Sequence, residues 1–244
     1  MAKKRRQNIR LPNDGEAGAG ALLALANARR HLRAAEILGA NRLYGPGSSH
    51  IILAMEELAK AQVLTLILTG IDVPNEMRRE ILRNHGIRHN VTYGLLLSQV
   101  VRSVALNALT RTSRSGGQSL EKQLEKELKK AMKVQKSPSS SAGLNFEGLE
   151  WITKANDIKK QGFYVDFDGE KWVHPGTISK RTFVFGYKIV ERLLKQHGPG
   201  IRKTQKTGFQ VPETLKKQFE EIINKRDMLE GRDYTKALIE FILT

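Results

Sequence analysis

Hydrophobic positions recur three or four residues apart along most of the chain, which is the spacing of an amphipathic helix. Residues 16–38 show this spacing and predict a first helix. Residues 49–69 are apolar on nearly every side and predict a second helix at the centre of a bundle. Between them, Tyr44 to Gly47 contains two Gly and one Pro, which predicts a chain break with Ser48 or Ser49 as the next helix cap.

Similar spacing predicts further helices, and one segment differs. The helices are residues 74–84, 90–111, a charged segment from Leu120, 146–160, 178–196, 212–225 and 234–243. Phe163, Val165 and Phe167 instead alternate with polar residues before an Asp-Gly turn signal, which predicts a small β-hairpin. The expected fold is therefore an all-α helical bundle with a small β-hairpin insertion.

Composition divides the chain into five segments. Residues 1–15 are basic and then turn-rich, and are expected to be a flexible arm. Residues 16–136 are the expected helical core, and the Ser- and Pro-rich tract at 137–145 is the expected linker. Residues 146–198 are expected to add a helix–hairpin–helix extension to the same domain, and residues 199–244 the C-terminal helices.

Charge and cysteine content narrow the class of protein. The 244 residues include 41 Lys and Arg against 25 Asp and Glu, a net charge of +16, which favours a nucleic-acid partner over a merely solvated surface. The absence of Cys excludes disulfides, thiol catalysis and Cys-bound metals. The longest apolar run stops at Glu56 and Glu57, and the N-terminus lacks the apolar run of a signal peptide. We expect a cytoplasmic protein that makes no use of a membrane.

The stretch RNHGIRHN, which starts at Arg83, places two His and two Arg between two predicted helices. A histidine can move a proton near neutral pH, and an arginine matches a phosphate, so such a stretch can cleave RNA through the 2′-hydroxyl without a metal. Arg83 and His89 form an R-x5-H motif. Arg78 with His85 is the alternative if Gly86 breaks the helix. A solvated cluster at a helix–helix turn is the simpler interpretation.

A polar stripe on the second helix is the next candidate. Glu56 and Lys60 lie four residues apart, and Glu57 and Lys60 lie three apart, so each pair can form along a helix. His50 shares a face with Glu57 two turns later. The stripe is either an exposed set of ion pairs or one wall of a site.

The hairpin segment offers aromatic side chains. Tyr164 and Trp172 can stack a nucleobase. Asp166, Asp168 and His174 match no metal-site spacing, so we expect neither a metal nor a cofactor.

Four pieces of sequence, taken in order, resemble a known family. They are the Ala-rich ALANARRHLRAAEIL, the helix SSHIILAMEELAKA after Tyr44, the pair His85 and Arg88 in NHGIR, and KKQGFYVDFDGEKWVHP. Together they resemble the AbiV-type abortive-infection proteins of bacterial phage defence, a branch of the HEPN superfamily. The likeness covers about residues 17–195.

This resemblance implies a HEPN-like bundle, a role in stopping phage propagation, and an R-x(4–6)-H ribonuclease motif in a cleft formed across a homodimer. The predicted catalytic residues are Arg83, His85, Arg88, His89, Glu57 and Lys60. The predicted nucleic-acid-binding residues are Arg78, Arg79, Tyr164 and Trp172.

Three functions are compatible with these features. The first is a metal-independent antiviral ribonuclease that halts translation. The second is a non-catalytic defence protein that binds RNA or the translation machinery, and the third is a structural or regulatory helical protein. The expected partners are RNA, a phage-encoded activator and a second copy of the chain. Catalysis requires particular His and Arg residues, whereas binding should weaken gradually as basic residues are removed and should depend strongly on salt.

Overall fold

In a computed structural model, the described residues form an α-helical bundle that carries one two-stranded β-hairpin. This confirms the predicted all-α fold with a hairpin. The structure describes residues 11–86, 88–89, 91–92, 148, 151–167, 169–213 and 216–217. Several predicted segments lie wholly or mostly outside the described residues: residues 1–10 of the arm predicted at 1–15, the helix at 90–111, the helix from Leu120, the linker at 137–145, and the helices at 212–225 and 234–243.

Helix α1 spans Asp14–Ala40 and starts at a side-chain cap. The Asn13 side chain accepts a hydrogen bond from the Glu16 N–H at 2.9 Å, and the Glu16 carboxylate accepts one from the Asn13 N–H at 2.9 Å. This reciprocal capping box satisfies two N–H groups that the first helical turn leaves unpaired. Asp14 and Gly15, which were expected in the arm, are therefore helical.

Helix α2 spans Tyr44–Leu68 and lies at the centre of the bundle, as predicted. It packs against α1 and every later helix described below. Its fully buried side chains include Ile51, Ile52, Met55, Leu58 and Ile67. Although α2 is the most apolar helix, no helix in the described part of the chain is long and apolar enough to cross a membrane.

The start of α2 differs from the prediction. Tyr44 to Gly47 do not break the chain but form its first turn, and no side chain caps it. The two glycines serve close packing: a Cβ on Gly45 would collide with the Pro175 backbone, and one on Gly47 would collide with the Phe183 ring. A proline is tolerated in a first helical turn because its missing N–H would have no partner there.

Helix α3 spans Asn75–Arg83, close to the predicted 74–84. Asn84 then adopts an extended conformation, with φ −102° and ψ 117°, and helical residues resume at His85. The Asn84 side chain accepts a hydrogen bond from the Gly86 N–H at 2.9 Å, which caps the new helix. The break between the two helices therefore falls at Asn84 and not at Gly86.

Helix α4 spans Ala155–Phe163 and is followed by the antiparallel hairpin of β1 (Asp166–Phe167) and β2 (Trp172–Val173). The strands are shorter than predicted, and Phe163, expected in a strand, is the last helical residue. Its ring packs edge-on against His50 of α2, with 5.8 Å between centroids. This contact with α2 overrides the alternating sequence pattern.

A short 3-10 helix (Pro175–Thr177) leads into α5, which spans Lys180–Thr207. The prediction that this helix ends at residue 196 was wrong, because α5 continues through Pro199. Ile201, beyond the proline, is buried in the core, and this packing offsets the lost backbone hydrogen bond. Gly208, with φ 60°, ends the helix in the left-handed region that favours glycine.

Candidate active site around Glu56

Glu56 is the one acidic side chain among the fully buried residues of the described chain, with 1% of its surface exposed. It lies in the middle of α2, on the face that packs against α4. An isolated carboxylate there would be very costly, so it requires partners. The structure supplies them from two directions: the helical residues after Asn84, and α4.

Two histidines bind this carboxylate through different ring nitrogens. His85 contacts Glu56 Oε2 through Nδ1, at the short end of hydrogen-bond distance, and His89 Nε2 lies 2.9 Å from Oε1. His85 and His89 are four residues apart on one helical turn, so both can face the same group. This stretch after α3 is therefore brought against α2.

Two basic side chains complete the surroundings. Lys159 Nζ of α4 lies 2.6 Å from Glu56 Oε1, and Arg88 Nη1 lies 3.6 Å from Oε2. Arg88 also donates to two carbonyls at the end of α3, from Nε to Ile81 at 2.8 Å and from Nη2 to Leu82 at 2.7 Å. Arg88 is buried, so its main effect is to join the new helix to α3 and to add positive charge beside Glu56.

These contacts determine the ionisation of Glu56. Burial raises the pKa of Glu56, but hydrogen bonds from His89, Lys159 and His85 and the charge of Lys159 outweigh it and lower the pKa to about 2. The carboxylate is therefore ionised at neutral pH and can only accept hydrogen bonds. In consequence, His85 must carry its proton on Nδ1 and His89 on Nε2.

The two histidines differ in accessibility. The His85 side chain is 53% exposed, whereas the His89 side chain is 11% exposed. When neutral, His85 presents an unprotonated Nε2 on the side of the ring away from Glu56. A buried carboxylate that orients an accessible imidazole in this way is the arrangement of a general base. His89 is enclosed and serves to hold Glu56 in place.

Close packing of α4 on α2 positions Lys159. A Cβ on Gly162 would collide with the Ser49 hydroxyl and the Gly45 carbonyl, so α4 lies directly on the first turns of α2. Ser49 Oγ also donates to the Lys159 carbonyl at 2.9 Å. The backbone of Lys159 is thus fixed at the same place where its side chain reaches Glu56.

Glu57 and Lys60 lie on the side of α2 that faces α1. They form an ion pair with each other at 2.5 Å, beside His31 of α1. The Nδ1 atom of His31 in turn lies 3.0 Å from Nδ1 of His50. Within the described contacts, neither Glu57 nor Lys60 touches His85 or His89. The structure therefore places Glu56, and not these two predicted catalytic residues, against the histidines.

The remaining predicted arginines lie on α3. Arg83 is exposed at its end, directly before the break at Asn84, and Arg79 is exposed one turn earlier. Arg78 donates to the Val73 carbonyl at 2.7 Å and lies 3.6 Å from Asp72, so it braces the loop before α3. Because of the break, Arg83 and His89 do not share one continuous helix.

Tyr164 and Trp172, the predicted base-stacking residues, are both exposed. Trp172 pairs with Phe167 across the hairpin, with 5.5 Å between ring centroids. Tyr164 packs edge-on against Phe163, whose ring contacts His50. Their accessible rings fit the predicted stacking role, which stays a prediction.

The polar stripe predicted on the second helix included Glu56 but did not single it out from Glu57 and Lys60, and Lys159 was not predicted at all. One signal was available: a glutamate in a helix that is apolar on nearly every side needs a buried partner. Which cation or histidine would reach it depends on tertiary packing. Among the described residues, no group of three His, Asp or Glu side chains is arranged to hold a metal ion.

Comparison with known proteins agrees with the resemblance in the sequence. No curated protein and no solved structure matches the chain at a significant level. The AbiV family of HEPN proteins, however, matches residues 16–195, which is most of the chain. The match includes every member of the Glu56 cluster, which we define as Glu56 with His85, Arg88, His89 and Lys159. The chain therefore belongs to the AbiV family, whose members are HEPN-type abortive-infection defence proteins.

Proposed function

We propose that this protein defends the cell against phage as a metal-independent endoribonuclease, with His85 as the general base. One observation carries the proposal: an accessible imidazole is bound on its far side by a buried, ionised carboxylate. Glu56 selects the tautomer in which Nε2 of His85 can accept a proton, and it stabilises the imidazolium that results. Such a base typically contributes about 10²–10⁴ in rate.

The chemistry then follows from RNA itself. His85 Nε2 takes the proton of a 2′-hydroxyl, the 2′-oxygen attacks the adjacent phosphorus, and the bond to the 5′-oxygen breaks. The departing 5′-oxygen takes up a proton, and the products are a 2′,3′-cyclic phosphate and a 5′-hydroxyl. Arg83, exposed beside the break at Asn84, is the candidate for binding the phosphate oxygens.

The reaction also needs an acid that protonates the leaving 5′-oxygen, and this need favours a homodimer. Of the two histidines that contact Glu56 in one chain, only His85 is accessible, because His89 is enclosed. A second copy of the chain would supply its own His85 as the imidazolium that protonates the leaving oxygen. Multi-angle light scattering should then give the mass of a dimer, and a monomer would remove this part of the proposal.

A cleavage assay in excess EDTA tests the ribonuclease. Wild-type protein should cut cellular RNA and leave 2′,3′-cyclic phosphate ends, and His85→Ala should lower the rate by at least about 10²-fold. His174→Ala is the matched control, because His174 is exposed but lies outside the Glu56 cluster. Cleavage that His85→Ala leaves intact would contradict the role of His85.

The second candidate function is non-catalytic binding of RNA or of the translation machinery. The net charge of +16 and the exposed rings of Tyr164 and Trp172 favour it. If the wild-type protein binds RNA with a steep salt dependence but cuts nothing, even with lysate from phage-infected cells as a source of activator, binding becomes the leading function.

A further inference from the structure

Lys159 of α4 is committed to the interior of the protein and not to solvent. Its Nζ lies 2.6 Å from Glu56 Oε1, and its side chain is only 13% exposed. A lysine in a site that cleaves RNA would usually bind a phosphate as a point charge. Because the ammonium of Lys159 already contacts a buried carboxylate, it acts on the site through Glu56.

The two oxygens of Glu56 serve different partners. Oε1 accepts hydrogen bonds from Lys159 and from His89 Nε2, the latter at 2.9 Å. Oε2 contacts His85 Nδ1. A carboxylate oxygen has about two lone-pair directions, so Lys159 and His89 together occupy Oε1. The carboxylate is thereby held with Oε2 toward His85.

Lys159 is also the nearer of the two basic side chains beside Glu56. Arg88 Nη1 lies 3.6 Å from Oε2, and the other nitrogens of this guanidinium donate to two backbone carbonyls. Burial raises the pKa of Glu56, whereas three hydrogen bonds and the charge of Lys159 lower it to about 2. Lys159 therefore stabilises the ionised carboxylate both by its hydrogen bond and by its charge.

The side of α2 that faces α1 offers no substitute for Lys159 among the described residues. Lys60 forms its ion pair with Glu57 at 2.5 Å. Burial lowers the pKa of His31 on α1, although the charges of Glu57 and Glu56 oppose this shift. In the described part of the chain, the positive charge in direct contact with Glu56 thus comes from α4.

Without this charge, a histidine would have to compensate the buried carboxylate. A nearby negative charge favours a protonated imidazole, and an imidazolium has no lone pair with which to accept a proton. The proton would go to His85, because burial disfavours a charge on the enclosed His89. With Lys159 in place, the charge of Glu56 is already balanced.

We propose that Lys159 is a positioning residue of the candidate active site: its ammonium balances Glu56 and so keeps His85 neutral, with Nε2 free to act as a base. This role rests on the ribonuclease function proposed above, since only that reaction requires the base. The protonation state of His85, however, is measurable without RNA.

Nitrogen-15 NMR of the histidine side chains at pH 7.5, in the absence of RNA, tests the proposal. In the wild type, the His85 ring should be neutral with its proton on Nδ1. Lys159→Gln removes the charge but retains a hydrogen-bond donor, and His85 should then be an imidazolium. Lys159→Arg retains the charge and should keep the ring neutral. Lys160→Gln is the matched control, because it removes an exposed charge from the same helix and should change nothing.

RNA cleavage gives a second measurement. Lys159→Gln should lower kcat by about tenfold or more at pH 7.5 and leave KM unchanged, because Lys159 does not touch the RNA. The lost rate should return as the pH rises and His85 gives up its proton, whereas damage to the fold would not be reversed in this way. A raised KM with an unchanged kcat would make Lys159 an RNA ligand and would overturn the proposal.

The outcomes distinguish this proposal from the ribonuclease itself. If the wild type cuts no RNA but Lys159→Gln protonates His85, the ribonuclease function fails and the effect of Lys159 on His85 stands. If the wild type cuts RNA while His85 stays neutral in Lys159→Gln, or His89 is protonated in its place, the role of Lys159 is overturned. Should Lys159→Gln not fold, the wild type decides: a neutral His85 ring at pH 7.5 supports the role, and an imidazolium overturns it.

Discussion

Lys159 Nζ lies 2.6 Å from Glu56 Oε1, although 103 residues separate them in the chain. Both side chains are nearly enclosed, with 13% and 1% of their surfaces exposed. The same carboxylate binds His85 and His89, so it connects α4 to the helical turn that follows α3. One buried charge thus brings three separate segments together.

We expect Glu56→Ala to destabilise the protein by about 3–5 kcal/mol, because it leaves buried Lys159 and Arg88 without their counter-charge. Urea unfolding followed by circular dichroism measures this. Glu57→Ala is the matched control: it removes an adjacent carboxylate whose ion pair, with Lys60, lies along its own helix, and it should cost less than about 1 kcal/mol. Equal losses of unfolding free energy in the two variants would mean that the Glu56 cluster contributes no more to stability than a surface ion pair does.

Glu56 should also produce a pH dependence in the acid range. Its pKa is lowered from 4.5 to about 2 in the folded protein, so the unfolded chain takes up the proton first. The stabilisation is fully present above about pH 4.5 and is lost as the pH falls toward about 2, on the order of 3 kcal/mol. The difference in unfolding free energy between wild type and Glu56→Gln should therefore shrink from pH 5 to pH 2. A constant difference would contradict the lowered pKa.

Helical periodicity predicted the main elements well, because α1 and α5 bury residues spaced three or four apart and α2 is apolar on nearly every side. It failed where tertiary contacts reverse a local signal. Gly45 and Gly47 resembled a chain break, yet they permit close packing within a helix. Likewise Pro199 resembled a helix end, but burial of Ile201 beyond it keeps α5 continuous.

The candidate site was likewise predicted only in part, because local sequence identifies unusual residues but not their tertiary contacts. The stretch from Arg83 to His89 was identified because its residue types are unusual at a helix junction. Of the two adjacent carboxylates in the polar stripe, Glu57 was predicted to be catalytic, whereas Glu56 is the one that contacts the histidines, since adjacent residues on a helix with few polar positions are hard to rank. Lys159 was missed because sequence spacing carries no information about a contact across 103 residues.

Gly162→Ala should displace α4 from α2. Its new Cβ would collide with the Ser49 hydroxyl and the Gly45 carbonyl, and backbone atoms cannot yield as a flexible side chain can. We expect a loss of about 1–3 kcal/mol in unfolding free energy. Gly200→Ala, in α5 with open space around it, should be neutral or stabilising by up to about 1 kcal/mol. If the two substitutions have the same effect, the close packing of α4 is not what holds Lys159 in place.

His31 and His50 should make the protein less stable at mildly acidic pH. Their Nδ1 atoms lie 3.0 Å apart, so one must donate and the other accept, and protonating both would set two N–H groups against each other. Burial lowers the pKa of each below 6.5. For His31 the nearby carboxylates of Glu57 and Glu56 oppose this shift, and the Lys60 ammonium adds to it.

A base with a lowered pKa in the folded state contributes stability above pH 6.5 that is lost as the pH falls. Unfolding free energy should therefore decrease from pH 7.5 to pH 5.5 in the wild type, and it should decrease less in His50→Gln. His174→Gln, which changes an exposed histidine away from this pair, should retain the wild-type slope. If unfolding free energy changes with pH by the same amount in all three proteins, the His31–His50 pair is not the cause of the pH dependence.

His85 and His89 should react at different rates with diethyl pyrocarbonate, which modifies neutral imidazole. His85 is 53% exposed with its Nε2 turned away from Glu56, whereas His89 is 11% exposed and must await local opening of the helix after Asn84. Peptide mass spectrometry over a time course should therefore show His85 modified first. RNA cleavage should be lost in step with His85 modification, before His89 reacts. Loss of cleavage that instead follows His89 would make His89 the base and would require the Glu56 cluster to open during the reaction.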